Sequence, residues 1–207
     1  MLEFGGAVTE VSLGAPAPMA GSVLAIGAFD GVHLGHQRLI QAAVADGWRL
    51  GLQSVIWTFD PPPKVVFGRA APLCGLEEKL TRIARLGPDL IVVIPFGPSY
   101  AARTAAQFIA DLTRISPRHI HVGADFRFGA RQSGDVALLA EHFPVTLAAP
   151  VCCAAGETIS STRLRDLRTR GECGSALMGP EAALICAPSG AHMTLNLHHR
   201  EAMDGWN

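Results

Sequence analysis

Charge is scarce in this sequence. Charged residues fill 17% of its 207 positions, below the usual quarter, and nearly cancel to a formal net charge of −1. That balance gives no electrostatic reason to expect a nucleic-acid partner. Lysine is rarest: Lys64 and Lys79 are the only two among 17 Lys and Arg residues. Cationic roles therefore fall mostly to arginine or histidine. No apolar run reaches the ~20 residues of a membrane-spanning helix. The opening Met1-Leu2-Glu3-Phe4 lacks a basic stretch, so no secretory signal is expected. The five cysteines (74, 152, 153, 173 and 186) are odd in number, form no CxxC, and include an adjacent pair. They make neither a disulfide framework nor a cysteine zinc site and fit a reducing, cytoplasmic setting. There is no GxxxxGK[ST] phosphate loop, no GxGxxG, no internal repeat and no low-complexity tract.

Apolar residues are plentiful, at 49%. The chain is long enough for one medium domain with a real core, and this composition excludes a disordered chain. Residues 1–20 are rich in Gly, Ala and Pro and read as a lead-in. Strand-like runs follow at Ser22–Phe29, Leu52–Phe59, Leu90–Ile94, Arg118–Val122 and Val145–Ala149. Helical spacing falls between them at Leu34–Leu50, about 75–87, about 102–115, and Asp135–His142, with a polar helix at Ser161–Arg170. Such alternation implies an α/β fold: a mostly parallel sheet with helices on both faces. Ligands of such sheets bind beyond the carboxyl ends of the strands.

The first strand runs into Gly27-Ala28-Phe29-Asp30-Gly31-Val32-His33-Leu34-Gly35-His36. His33 and His36 are three apart at a helix start, so both can face one ligand. Gly31 and Gly35 permit close approach of a bulky anion, and a helix N-terminus attracts phosphate. The second strand ends in Thr58-Phe59-Asp60-Pro61-Pro62-Pro63. The fourth ends in Gly123-Ala124-Asp125-Phe126-Arg127-Phe128-Gly129. There two aromatics can contact a ring, and Arg127 or Arg131 can meet a phosphate. In Ile159-Ser160-Ser161-Thr162-Arg163-Leu164-Arg165, Ser160 or Ser161 can cap the next helix. Arg163 and Arg165 fall in that helix's first turn, where only a bound anion favours cations. Lys79 reads as a solvated lysine at least as well as a site residue. His119, His121, His142 and His192 read as ordinary surface or strand residues.

These segments resemble the HxGH nucleotidyltransferases, and within them the flavin adenylyltransferases that form the N-terminal half of bacterial bifunctional riboflavin kinase/FAD synthetases. The resemblance runs from about Val23 to Gly179. It implies a Rossmann-like nucleotidyltransferase domain over residues 21–180, followed by a tail at 181–207 without a riboflavin kinase motif, so riboflavin phosphorylation is not expected. It implies transfer of AMP from ATP to FMN, giving FAD and pyrophosphate. Mg²⁺ would be carried on the phosphates rather than in a protein cage. By resemblance, His33, His36 and Arg165 are catalytic. ATP would meet Gly27, Phe29, Asp30, Gly31, His33, Gly35, His36, Ser161, Thr162 and Arg165. Flavin would meet Pro61, Pro63, Phe67, Asp125, Arg127 and Phe128. The family has His where this chain has Pro62, and proline supplies no side-chain donor. The alternatives are a nucleotidyltransferase with another phosphate acceptor, or a non-catalytic flavin or nucleotide binder. Partners are the small-molecule substrates, with no nucleic acid and no membrane. The oligomeric state is not legible.

Overall fold

The computed structural model describes residues 1–4, 6–172 and 174–179. The expected tail at 181–207, with His192, lies outside them. Strands β1 (Leu2–Phe4) and β2 (Ala7–Leu13) precede β3 (Ser22–Ile26), and helix α1 (Leu34–Leu50) leads to β4 (Gln53–Asp60). Short α2 (Pro63–Val66) and α3 (Leu76–Ala84) lead to β5 (Leu90–Pro95). Then come α4 (Pro98–Ala101), α5 (Ala105–Thr113) and β6 (Pro117–Gly123). The two-residue strands β7 (Arg127–Phe128) and β8 (Gly134–Asp135) pair beside α6 (Val136–Ala140). Strand β9 (Val145–Ala148), α7 (Ser161–Thr169) and α8 (Ser175–Met178) follow.

Seven strands form one sheet in the order β1-β2-β5-β4-β3-β6-β9. Only β1 runs antiparallel, against β2; the other pairs are parallel. The chain steps from β3 outward through β4 to β5, then returns to place β6 on the other side of β3. That reversal opens a crevice at the carboxyl ends of β3 and β6. Residues 1–20 are more than a lead-in: β1 and β2 extend the sheet, with β2 paired to β5. Their alternation is hidden because β1 is only three residues long and β2, next to it, is largely exposed, with Val8 and Leu13 both at the surface. The first central strand also ends sooner than its apolar run, at Ile26 rather than Phe29.

The central strands β3, β4 and β5 are buried on both faces, which explains their near-continuous apolar runs. Leu24, Val55, Trp57, Val92, Ile120 and Val122 meet Phe108 and Leu112 of α5 on one face. Val23, Ala25, Ile56 and Ile91 meet Leu39, Ile40 and Ala43 of α1 and Leu80 and Ile83 of α3 on the other. Helix α1 ends at Gly51, whose left-handed φ of 65° lets its N–H reach back to Gly47 O. Helix α5 starts on a capping box in which Thr104 and Gln107 satisfy each other's backbone N–H groups. A third, smaller cluster of Leu73, Ile159, Leu164 and Leu177 docks α7 and α8 beside the crevice.

Candidate active site

The loop from β3 into α1 is unusual in its backbone. Phe29 and Val32 hold φ of 47°, and Gly31 holds 81°. Two non-glycine residues in the left-handed region store strain of order 1–3 kcal/mol each, which persists where surrounding contacts fix it. Those contacts are present. Gly27 N–H donates to Trp57 O at 3.1 Å and Val32 N–H to Phe29 O at 3.2 Å. Thr58 Oγ1 donates to Ala28 O at 3.2 Å. Arg82 of α3 donates to Gly31 O at 2.7 Å, and Gln37 to Val32 O at 2.9 Å. Phe29 is buried rather than displayed.

His33 caps α1: its Nδ1 accepts the His36 N–H at 3.4 Å. An accepting Nδ1 assigns the proton of the neutral ring to Nε2, which is then a donor. The His36 ring stacks on His33 with centroids 3.6 Å apart and meets Phe29 edge-on at 5.3 Å. A Cβ at Gly35 would lie 3.1 Å from His33 Cε1, so glycine there makes room for the ring. Burial lowers the His33 pKa to about 4. Burial, with the neighbouring His33, holds His36 well below the usual imidazole range. Both rings are neutral at pH 7. Among the described residues the buried His36 Nδ1 has no hydrogen-bond partner, which is uncommon and marks a position awaiting one.

Helix α7 comes to this loop. Ser160 is its cap, accepting the Arg163 N–H at 3.2 Å, which frees Ser161 for another task. Ser161 Oγ donates to Asp30 O at 3.1 Å. Arg165 pairs with the Asp30 carboxylate and donates to Ala71 O at 2.8 Å. The other Asp30 oxygen accepts the Leu73 N–H at 2.9 Å. Asp30 is thus a buried tie between three segments. Arg163 turns away, pairing with Glu157 and donating to Cys153 Sγ at 3.1 Å. Thr162 is exposed.

The residues expected around a flavin are spread along one side of the sheet. Pro61 is exposed, Pro63 half-buried, and Pro62, in the family's His position, is buried and precedes α2. Phe67 is 54% exposed and meets Phe96 edge-on at 6.0 Å. Phe96 in turn contacts Phe59 and Tyr100. Asp125 and Arg127 are exposed. Phe128 is core: its ring sits 4.9 Å from Phe108, and it is only 6% exposed. The half-buried Phe126, stacked at 5.7 Å, is the more accessible of the two aromatics.

Lys79 is not a solvated lysine. It is 2% exposed and donates to Phe59 O at 2.7 Å, with Asp60 Oδ1 at 3.5 Å. A cation is thereby fixed under the β4 carboxyl end. Spacing carries the signal, because Lys79 lies on the Leu76–Leu80–Ile83 stripe that faces the core. Arg82, three positions on, reaches the Gly31 carbonyl. No spacing rule points to a side chain whose partner is a distant carbonyl.

A mostly parallel sheet with two imidazoles at the switch point and a hydroxyl–guanidinium helix brought against them defines a Rossmann-like nucleotidyltransferase. The family model for FAD synthetase matches residues 16–163, and the chain belongs to that family. It is 52% identical over 165 residues to a Geobacillus thermodenitrificans (strain NG80-2) protein named "Putative bifunctional riboflavin kinase/FMN adenylyltransferase", covering 80% of this chain and 91% of that one. It is 38% identical to the Escherichia coli (strain K12) bifunctional riboflavin kinase/FMN adenylyltransferase, covering 72% of this chain but 50% of that protein. The chain therefore spans about half the length of that relative. A solved structure titled as a macrolide-efflux protein from Streptococcus pneumoniae superposes with a TM-score of 0.71 at 27% identity, covering 84% of this chain and 62% of that one. Among the described residues no helix is long and apolar enough to cross a membrane.

Proposed function

We propose that this chain transfers AMP from ATP to FMN, releasing FAD and pyrophosphate. One observation carries the reading beyond family membership: Asp30 ties the imidazole loop to α7 through Ser161 and Arg165. A phosphate chain lying across that tie would touch both segments at once. An FMN phosphate oxygen attacks the α-phosphorus of ATP in line. The bond to the β-phosphate's bridging oxygen breaks, and pyrophosphate carries off the electron pair. The acceptor phosphate is already a nucleophile, so no covalent enzyme intermediate is required. Catalysis is positioning and charge stabilisation. Neutral imidazoles donate to phosphate oxygens. Ser161, Thr162 and Arg165 receive the leaving pyrophosphate, Arg165 sharing its guanidinium between Asp30 and the anion. Gly27, Gly31 and Gly35 keep the backbone close.

For the flavin we propose the aromatic ground between Phe67 and Phe126, with Pro61 and Pro63 at one wall and Asp125 and Arg127 at the other. Phe128 supports that ground from below. Both Asp30 oxygens already accept, one from the Leu73 N–H and the other from Arg165. Mg²⁺ belongs in this reading as part of the ATP substrate, with no step assigned to it. The cytoplasmic setting rests on the cysteine pattern.

The test is incubation with ATP, FMN and Mg²⁺ followed by chromatography for FAD, with CTP and other phosphate acceptors in parallel. FAD formation selective for ATP and FMN is expected. A folded protein that makes none, or prefers another pair, overturns the reading. His36→Ala should slow turnover by about 10²-fold while leaving flavin affinity nearly unchanged.

A further inference from the structure

Far from the crevice, α1 and β6 bring three potential metal ligands together. Asp46 lies near the end of α1, and His119 and His121 lie two apart on β6, so both rings emerge on one face of the sheet. One nitrogen of each ring and one carboxylate oxygen all fall within 4.8 Å of one another. The rings stack with centroids 4.9 Å apart. His121 is buried, and its Nε2 lies 3.0 Å from Asp46 Oδ2. His119 is half-buried and held by Thr146 Oγ1 of β9 at 2.7 Å. Both histidines are strand residues, as expected, and the strand carries them to one shared cluster with Asp46.

We propose that Asp46, His119 and His121 bind one divalent d-block cation of the zinc type. Two imidazoles and one carboxylate suit Zn²⁺ or Co²⁺, whereas Mg²⁺ prefers oxygen ligands throughout. Three protein ligands leave a fourth position for water. Zn–N bonds near 2.0 Å set tetrahedral ligand atoms about 3.3 Å apart, so the present spread closes by modest side-chain rotation. His119 and Asp46 are half-exposed and free to make it. Arg49 pairs with Asp46 Oδ1 at 3.0 Å, but its side chain is 63% exposed and can leave or keep that oxygen while Oδ2 binds metal. Thr146 Oγ1 orients the His119 ring, as hydrogen-bonded neighbours of metal-bound histidines commonly do. Ten residues separate Asp46 from His36, about 15 Å along the helix, so this site is distinct from the phosphate crevice. A cation here would clamp the far end of α1 to β6.

The experiment titrates the full chain with Zn²⁺ alone, against a chromophoric chelator, and with Co²⁺ read by its visible ligand-field absorption. One site should appear, with a Co²⁺ spectrum of nitrogen and oxygen ligands and a rise in thermal midpoint on Zn²⁺ addition. Millimolar Mg²⁺ should not compete. His119→Gln and Asp46→Asn should each weaken Zn²⁺ by at least about tenfold, with circular dichroism unchanged. Cys152→Ser/Cys153→Ser and His198→Ala/His199→Ala should bind as the parent does. Unaltered Zn²⁺ affinity in folded His119→Gln, loss of the site in either control, or no Zn²⁺ binding at micromolar concentration overturns the proposal.

Discussion

At the scale of residues, the crevice is governed by two neutral imidazoles and one buried carboxylate. His33 titrates near pH 4 folded and 6.5 unfolded because burial disfavours its cation. Between those values the unfolded chain holds a proton that the folded chain does not. Stability is therefore full above pH 6.5 and falls on acidification towards pH 4, by about 1.4 kcal/mol per pH unit for one such group. Urea unfolding of the parent and His33→Gln across this window should show a shallower slope in the variant; parallel slopes would show that the ring is not desolvated. A bound triphosphate supplies opposite charge and should raise both histidine pKa values, so ATP binding at pH 5.5 should take up protons, read as a buffer-dependent binding enthalpy. Asp30 works differently. Asp30→Asn leaves the Arg165 guanidinium without its anion and disturbs the Leu73 N–H bond, which should cost about 3 kcal/mol in urea unfolding. That tie joins positions 135 apart in sequence. It could not be read from spacing, although each half of it could.

At the scale of elements, what the sequence displays depends on whether an element has room to be periodic. Helix α1 is long, with one clean apolar stripe, and its expected bounds at Leu34–Leu50 are those observed. Helices α2 and α4 are four residues each, opened by Pro63 and Pro98, too short to show any period. Strands β1 and β2 fail the pattern because β1 is a three-residue edge strand and β2 beside it is mostly exposed. Family resemblance makes Phe128 a flavin contact, and the two-residue β7 sets its ring against Phe108, 6% exposed; alternation over two residues is no signal of which aromatic faces inward. Helix α7 is the informative case. Its polar sequence gives it little to bury, and it is held by Leu164 within the small third cluster. Leu164→Ala should cost about 2–3 kcal/mol locally. Hydrogen exchange should quicken in α7 while β3 to β5 stay protected, and the KM for ATP should rise more than kcat falls. Uniform exchange across the sheet would mean that α7 unfolds only with the whole molecule.

At the scale of the molecule, the two large cores and the small cluster divide the labour. The sheet, α1, α3 and α5 form a rigid frame that fixes the imidazoles. The α7 segment rests on a few apolar side chains and on polar ties to Asp30, so the part that would meet the leaving phosphates has a smaller apolar anchor than the frame. Low local stability is where binding energy has most to gain, because a ligand that touches both frame and α7 stabilises their contact as well as occupying a site. ATP at a hundred times its Kd should therefore raise unfolding stability by about 2.7 kcal/mol, and α7 amides should become as protected as those of β4. FMN alone, lying on the aromatic side, should stabilise the frame without slowing exchange in α7. Measuring exchange with each substrate separates the two halves of the site directly. If ATP raises the thermal midpoint and α7 continues to exchange as before, the phosphates rest on the imidazole loop alone, and Ser161 and Arg165 serve only to hold Asp30.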